Sequence, residues 1–233
     1  MARQLIINAD DFGLSPGVNA GIIEAHERGV VTSTSLMVDA PGAEEAAGLA
    51  RHRPDLGVGL HFVAPEDADL DDPAQAASAF AAQLERFRAL AGADPTHVDS
   101  HHHVHAKGSR IATFSRLVAP LGLPLRHDGT IRYVGGFYAQ SEPGVTELRY
   151  VGREFLVELV RTEALDGFTE LGCHPARVTG DFRSSYYGER EVELQTLTEP
   201  GLRAELERLG ARLVNFRDWR DATSRGATQS RRD

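Results

Sequence analysis

The run Asp99-Ser100-His101-His102-His103-Val104-His105 places four of the chain's ten histidines in five positions, directly after an acidic residue. Imidazole and carboxylate are the ligand types that suit zinc and other first-row divalent ions, and imidazole also moves protons near neutrality. If the run continues the strand signal of Pro95-Thr96-His97-Val98, side chains alternate with period two. Asp99, His101, His103 and His105 then share one face, with Ser100, His102 and Val104 on the other. One face would carry a carboxylate and three imidazoles. The run is internal and interrupted by Val104, which sets it apart from an expression tag, and leaves a solvated patch as the plain alternative to metal or catalysis.

Elsewhere the same residue types stand singly or in pairs. Asp10 and Asp11 adjoin at the end of the apolar run Leu5-Ile6-Ile7-Asn8-Ala9, and two carboxylates at the end of a buried strand must be hydrogen-bonded, paired or bound to a cation. Pointing in different directions, one could ligate a metal while the other handles a proton; a loop or cap role is the competing reading. His61 follows Leu56-Gly57-Val58-Gly59-Leu60, a position where a structural histidine is the commoner outcome. Arg126 and His127 end Leu123-Pro124-Leu125, and Arg126 either pairs a carboxylate or orients a site. His174-Pro175 ends Phe168–Cys173, whose Cys173, the only cysteine, reads as a small core residue with no base beside it.

The elements that must position these residues alternate along the chain. Ser15-Pro16 is a helix start, serine capping and proline at the first helical position, and Asn19 within that helix faces either solvent or the carboxylates. Val30–Val38 is a β-branched strand, and an alanine-rich helix from Pro41-Gly42 runs to about His52. Phe80, Leu84, Phe87 and Leu90 give a helical face after Pro73, as do Ile111, Phe114, Leu117 and Val118 after the histidine run. Tyr133–Gly144 reads as a loop on a substrate surface or an edge hairpin, and Tyr186-Tyr187 as surface packing or a sugar platform. Helices near 147–165 and 200–209, and strands at Phe168–Cys173 and 212–215, complete the pattern.

Strands alternating with helices give an α/β fold with a parallel sheet, and about seven units suit a distorted, TIM-barrel-like (β/α) barrel. Asp10, Asp11, His61, His101, Arg126 and His174 all fall just beyond predicted strand C-termini, which converge on one face of a barrel, where active sites lie. One domain over residues 1–222 is expected, with a polar, disordered tail over 223–233. A net charge of −9 argues against a nucleic-acid partner, and a single cysteine excludes an internal disulfide or a cysteine-rich zinc site. No apolar run approaches a membrane span, and the short run before Leu5 is no signal-peptide core, so a cytoplasmic location is expected.

Taken in order, Asn8-Ala9-Asp10-Asp11-Phe12-Gly13, Gly59-Leu60-His61, Asp99–His105 and Cys173-His174-Pro175 resemble the YdjC/ChbG-like carbohydrate deacetylases, over roughly Gln4 to Trp219. The resemblance implies a (β/α) barrel that removes the acetyl group from an N-acetylated amino sugar or short chitooligosaccharide. It implies a divalent ion at the barrel mouth, magnesium by family habit and zinc as the other choice, and a possible homodimer. Carried over residue by residue, the metal falls to Asp11, His61 and His101, the catalytic base to Asp10 and the general acid to His174. His103, His105 and Arg126 would act on substrate or from behind the ligands. The segment between His61 and Asp99 is shorter than in the chitooligosaccharide enzymes, so less chain is left to cover a sugar. The same ligands on this fold would also serve a metal-dependent phosphoesterase or cyclic-amide hydrolase, or a non-catalytic carbohydrate-binding protein that keeps its metal.

Overall fold

The computed structural model describes residues 3–142 and 144–229. Its framework is a parallel sheet of β1 (Arg3–Phe12), β2 (Ser33–Leu36), β3 (Gly57–Phe62), β4 (Val98–Ser100), β5 (Arg132–Val134), β8 (Gly167–Cys173) and β9 (Ala211–Leu213). A separate hairpin pairs β6 (Gln140–Glu142) with β7 (Val145–Thr146), while residues 135–139 before it form a loop, so this stretch combines the two readings. The order is β4-β3-β2-β1-β8-β5, and β9 lies along the first half of β1, where Arg3, Gln4 and Leu5 pair with Ala211, Arg212 and Leu213. β1 is the long central strand because Leu5, Ile6, Ile7 and Ala9 are fully buried, as a parallel sheet covered on both faces requires.

The expected strand at Leu123–His127 shrinks to a single parallel bridge between Val98 and Leu125, because Pro124 lacks the N–H a ladder needs. That bridge continues the β4 edge, and residues 126–131 span directly from it to β5 at the opposite edge. The sheet therefore curls into a distorted, incompletely hydrogen-bonded (β/α) barrel.

Helices α1 (Pro16–Glu27), α2 (Ala43–Arg51), α3 (Pro73–Ala91), α4 (Arg110–Val118), α5 (Arg153–Glu163), α6 (Gly188–Leu197), α7 (Leu202–Arg208) and α8 (Phe216–Gln229) complete the fold. Ser15 caps α1 by accepting from the Val18 N–H, with Pro16 inside the first turn, as the sequence indicates. Leu5, Ile7, Ala9, Leu36, Leu60 and Val98 pack in one core with Val18 and Ile22 of α1 and Phe80 and Phe87 of α3. A smaller cluster of Ile6, Ile131, Val214 and Phe216 lies apart from it. Two expectations change. The tail expected to be disordered from Thr223 is helical as far as Gln229, and residues 230–233 lie outside the described residues. Helix α6 falls where a polar loop runs into unassigned chain, for a reason that concerns the site.

Candidate active site

The C-terminal ends of β1, β3, β4 and β8 meet around a cavity of about 260 Å³ whose lining includes Asp10, Asp11, His61, His101 and His174. The paired carboxylates reach it together because β1 breaks its alternation there. Its register against β2 shifts between Ala9 and Phe12, and Asp11 takes a left-handed φ of 70°. A bulge of this kind re-aims a side chain that a regular strand would send outward. The expectation of two carboxylates pointing apart is thus replaced by two facing one cavity with separate partners. Asn19 is neither at the surface nor at the carboxylates; it braces the turn behind them, accepting from Gly13 N–H at 2.8 Å and donating to the Gly42 carbonyl.

The extended reading of the histidine run is overturned. β4 stops at Ser100, and residues 101–106 form tight 3-10 turns with His102 and His103 at φ 53° and 50°. Two successive non-glycine residues in that region each carry a steric cost, a strain that concentrates at functional sites. The run therefore splits its histidines. His101 reaches Asp11, His102 tilts over the His101 ring at 3.9 Å, and His103 lines the cavity. His105 turns away: fully buried, it accepts a hydrogen bond from the Ser100 hydroxyl at 2.6 Å and donates to the Arg126 carbonyl at 2.7 Å. It supports the chain at Arg126 and does not line the cavity.

Asp11 Oδ1 lies 3.1 Å from His101 Nδ1 and 3.3 Å from His61 Nε2. All three ligand atoms fall within 4.8 Å of one another. Nitrogen and oxygen donors bound at about 2.0–2.2 Å to one ion stand roughly 3 Å apart, so the trio fits a divalent cation in donor type and spacing. The other Asp11 oxygen accepts from Arg190 at 2.6 Å. Burial opposes charge on Asp11, but Arg190 and the two imidazoles hold its carboxyl well below the usual range. His61 is oriented from behind, its Nδ1–H donating to Asp99 at 2.7 Å. That bond leaves Nε2 facing Asp11, the arrangement by which a carboxylate fixes a ligand imidazole. Burial would make His61 neutral, yet Asp99 and Asp11 lift its pKa to about 10, so the site draws positive charge to this point.

A second group, Asp10, His61 and Asp99, also has metal-like spacing, but a guanidinium already occupies it. Arg126, fully buried at its side chain, grips Asp10 with two bonds of 2.7 and 2.8 Å, meets Asp99 at 2.8 Å and donates to Glu170 at 2.6 and 2.8 Å. Against the desolvation that favours the neutral acid, Arg126 keeps Asp10 below its ordinary value. Glu170, for which burial prevails, is raised to about 7. On the far side of the cavity His174 Nε2 is 3.9 Å from Asp10 Oδ2, and burial lowers its pKa to about 4. Its backbone N–H donates to Glu193 at 2.5 Å, and the Tyr186 hydroxyl donates to the same carboxylate at 2.5 Å.

All the site residues expected from sequence except His105 line this cavity or, as with Arg126, bind one that does. Sequence reasoning missed Asn8, Ser35, His97, Asp99 as a support, Glu170, Arg190 and Glu193. Ser35 donates to Asp99 at 2.6 Å while accepting from Asn8 at 2.7 Å and from His97 at 3.2 Å, which links the interior of four strands to the imidazole of His61.

A barrel-like parallel sheet thus gathers at its mouth a carboxylate–imidazole trio of metal-like spacing and a second, arginine-held carboxylate. The profile described as "YdjC-like protein" matches residues 4–208. The chain belongs to this family. It is 37% identical to a carbohydrate deacetylase of Geobacillus stearothermophilus, with 94% of this chain and 99% of the relative covered. It is 34% identical to a chitooligosaccharide deacetylase of Serratia marcescens, covering 94% and 100%. Among solved structures, a protein of Enterococcus faecalis V583 assigned provisionally to cellobiose-phosphate cleavage superposes with a TM-score of 0.78 at 28% identity, covering 94% and 99%. The peptidoglycan deacetylase PdaC of Bacillus subtilis shares the fold at a TM-score of 0.56 and 14% identity, covering 99% and 96%.

Proposed function

We propose that the chain is a metal-dependent hydrolase that removes the acetyl group from an N-acetylated amino sugar or a short oligosaccharide of such sugars. The observation that carries this is the placement of an ionised carboxylate outside the cation site: Asp10, held by Arg126, lines the same cavity as the Asp11–His61–His101 trio. A merely structural ion needs no such neighbour. Named deacetylase relatives that match nearly the whole chain support the substrate class.

Asp11, His61 and His101 would hold the ion, and two imidazoles with one carboxylate suit zinc or another first-row ion better than magnesium. Such an ion supplies acidity to a water molecule and polarises an amide carbonyl. Asp10, ionised at neutral pH, accepts the proton that the attacking water gives up. His174 is neutral at rest, so it donates to the departing amine only after receiving a proton, and Asp10 at 3.9 Å is the group placed to supply it. Arg126 keeps Asp10 ionised and aimed, and Arg190 fixes the second oxygen of Asp11 so that a single oxygen meets the cation site.

Acetate release from a panel of N-acetylated amino sugars, with metal content measured on the same preparation, tests this reading. The expected result is acetate and free amine in equal amounts, lost on chelation and restored by a divalent ion. Phosphate release from a generic ester without acetate release would overturn it in favour of a phosphoesterase, and sugar binding without turnover in favour of a binding protein.

A further inference from the structure

Tyr138 is the aromatic member of the exposed large apolar residues, at 36% of its surface, and it lines the cavity beside His174. Tyr186 lies parallel to Tyr138 with ring centroids 4.2 Å apart and planes 12° apart. Tyr186 is itself only 3% exposed, and its hydroxyl is clamped, donating to Glu193 at 2.5 Å and accepting from the Ala139 N–H at 3.0 Å. One face of Tyr138 is therefore covered and fixed. The edge of His174 approaches at 5.6 Å between centroids, and His174 in turn is 3.9 Å from Asp10. An aromatic plane held rigidly beside a polar cavity contributes apolar area with little loss of side-chain freedom.

We infer that Tyr138 is the platform on which the pyranose ring bearing the scissile acetamide stacks, so that the site selects cyclic amino sugars over other acetamides. The inference rests on the deacetylase reading above and adds the recognition element to it. If the departing nitrogen takes its proton from His174, the ring carbon bonded to that nitrogen lies about one bond length beyond it. Of the two tyrosine rings beside His174, at 5.6 and 5.8 Å between centroids, Tyr138 is the one with an exposed face. A pyranose chair offers the C–H face that packs on an aromatic plane, and an acyclic acetamide does not. Tyr186-Tyr187, which the sequence leaves as either surface packing or a sugar platform, is neither the open platform nor simple surface packing: Tyr186 is buried as the backing ring, and Tyr187 packs on Phe182 at 4.9 Å.

The test compares kcat/KM of the metal-loaded enzyme for N,N′-diacetylchitobiose and for N-acetylethanolamine, in the native protein, Tyr138→Ala and Tyr138→Phe. Loss of the stacking surface predicts that Tyr138→Ala lowers the sugar-to-acyclic selectivity roughly two- to tenfold. Tyr138→Phe should keep the native selectivity. Equal losses on both substrates, or no loss on the sugar, would overturn the assignment. A second arm separates it from the deacetylase reading itself: calorimetric binding of N,N′-diacetylchitobiose to Asp10→Asn and to Asp10→Asn with Tyr138→Ala. Weaker binding in the double variant supports the platform even if no acetate is ever released, and equal binding refutes it even if acetate is.

Discussion

Replacing Arg126 by methionine removes the one guanidinium that joins three buried carboxylates, and the size and pH dependence of the damage follow from that geometry. Arg126 meets Asp10, Asp99 and Glu170 at 2.6–2.8 Å, with all four side chains 5% exposed or less. Breaking one buried ion pair by removing a partner costs about 3–5 kcal/mol, because the remaining charge is left uncompensated. Glu170, already raised to about 7, escapes by taking a proton, so the loss should be nearer one pair than three, about 4 kcal/mol at pH 8. A domain stable by about 5–15 kcal/mol survives that. The sign with pH is then determined. Without the Arg126 charge, which lowers all three, the carboxyls of Asp10, Asp99 and Glu170 shift upward from their native values, so the folded variant binds protons that the folded native protein does not and its deficit grows as pH rises. In the native protein Asp10 and Asp99 lie below their unfolded value, so their contribution is present above it and lost only in stronger acid. The gap between variant and native protein should therefore be wide at pH 8 and narrow toward pH 5. Urea unfolding of the metal-free proteins, followed by circular dichroism at both values, measures it. A gap below about 1 kcal/mol at pH 8, or one of equal size at both pH values, would refute the reasoning; Glu170→Gln added to Arg126→Met should recover part of the loss.

Further outcomes are expected of neighbouring groups. Gly59→Ala would bring a Cβ within 2.3–2.5 Å of three His97 ring atoms, and that ring cannot retreat because it stacks on Phe216 at 3.7 Å. A loss of about 3 kcal/mol in urea unfolding, largely recovered in Gly59→Ala with His97→Ala, is expected, and a neutral Gly59→Ala would contradict the packing. Asp10→Asn should lower turnover roughly 10²- to 10⁴-fold while bound metal per chain, read by elemental analysis after dialysis, stays native; His61→Ala should lose the metal itself. Burial holds His97 at about 3 and His103, His105 and His174 at about 4, below the unfolded 6.5, so their contribution is present above 6.5 and lost as pH falls. Glu170 at about 7 and Glu193 at about 8 work the other way, releasing stability as pH rises from 4.5. The net of roughly two protons corresponds to about 3 kcal/mol lost per pH unit on acidifying the metal-free protein from pH 6 to 5, and a flat stability profile there would show the histidines to be solvated.

How much of this was legible in the chain depends on whether a residue's role shows in its own type or only in its neighbours. Asp10, Asp11, His61, His101 and His174 stand at the ends of recognisable apolar strands, and parallel strands bring their C-termini together whatever lies between. The histidine run was misread because strand periodicity was extended past Ser100, where the backbone turns left-handed at His102 and His103, a choice local propensity does not encode. Helix α6 escaped notice because its buried face is polar: Glu189, Arg190 and Glu193 are each 5% exposed or less, and each bonds the site or the chain at its mouth. A search for one apolar stripe does not find a helix whose inward stripe is charged over its first turns and apolar only at Leu194 and Leu197.

The strands carry the same inversion, and it explains why the supporting residues were missed. In an ordinary sheet, period-two polarity marks the solvent face. Here Asn8 and Asp10 on β1, Ser33 and Ser35 on β2, His97 and Asp99 at β4, and Glu170 on β8 are all 3% exposed or less. Their neighbours Ile7, Ala9, Leu36, Val98 and Leu171 supply the apolar face that packs in the main core. Polar residues at i and i+2 within several buried strands thus mark a barrel interior lined for chemistry, and the Asn8–Ser35–His97–Asp99 links show what that lining does. The Asn8 amide donates to both Asp10 and Ser35, Ser35 donates to Asp99, and the chain ends on the Nδ1 of His61, whose other nitrogen faces Asp11. A buried polar network is costly where a member is left unpaired; here the Asn8 side-chain oxygen alone among these links lacks a partner, and the bonded groups fix the orientation of the His61 ring at their end. Ser35, seven residues from any charged side chain in sequence on its N-terminal side, is as much part of the candidate cation site's geometry as the histidine it never touches.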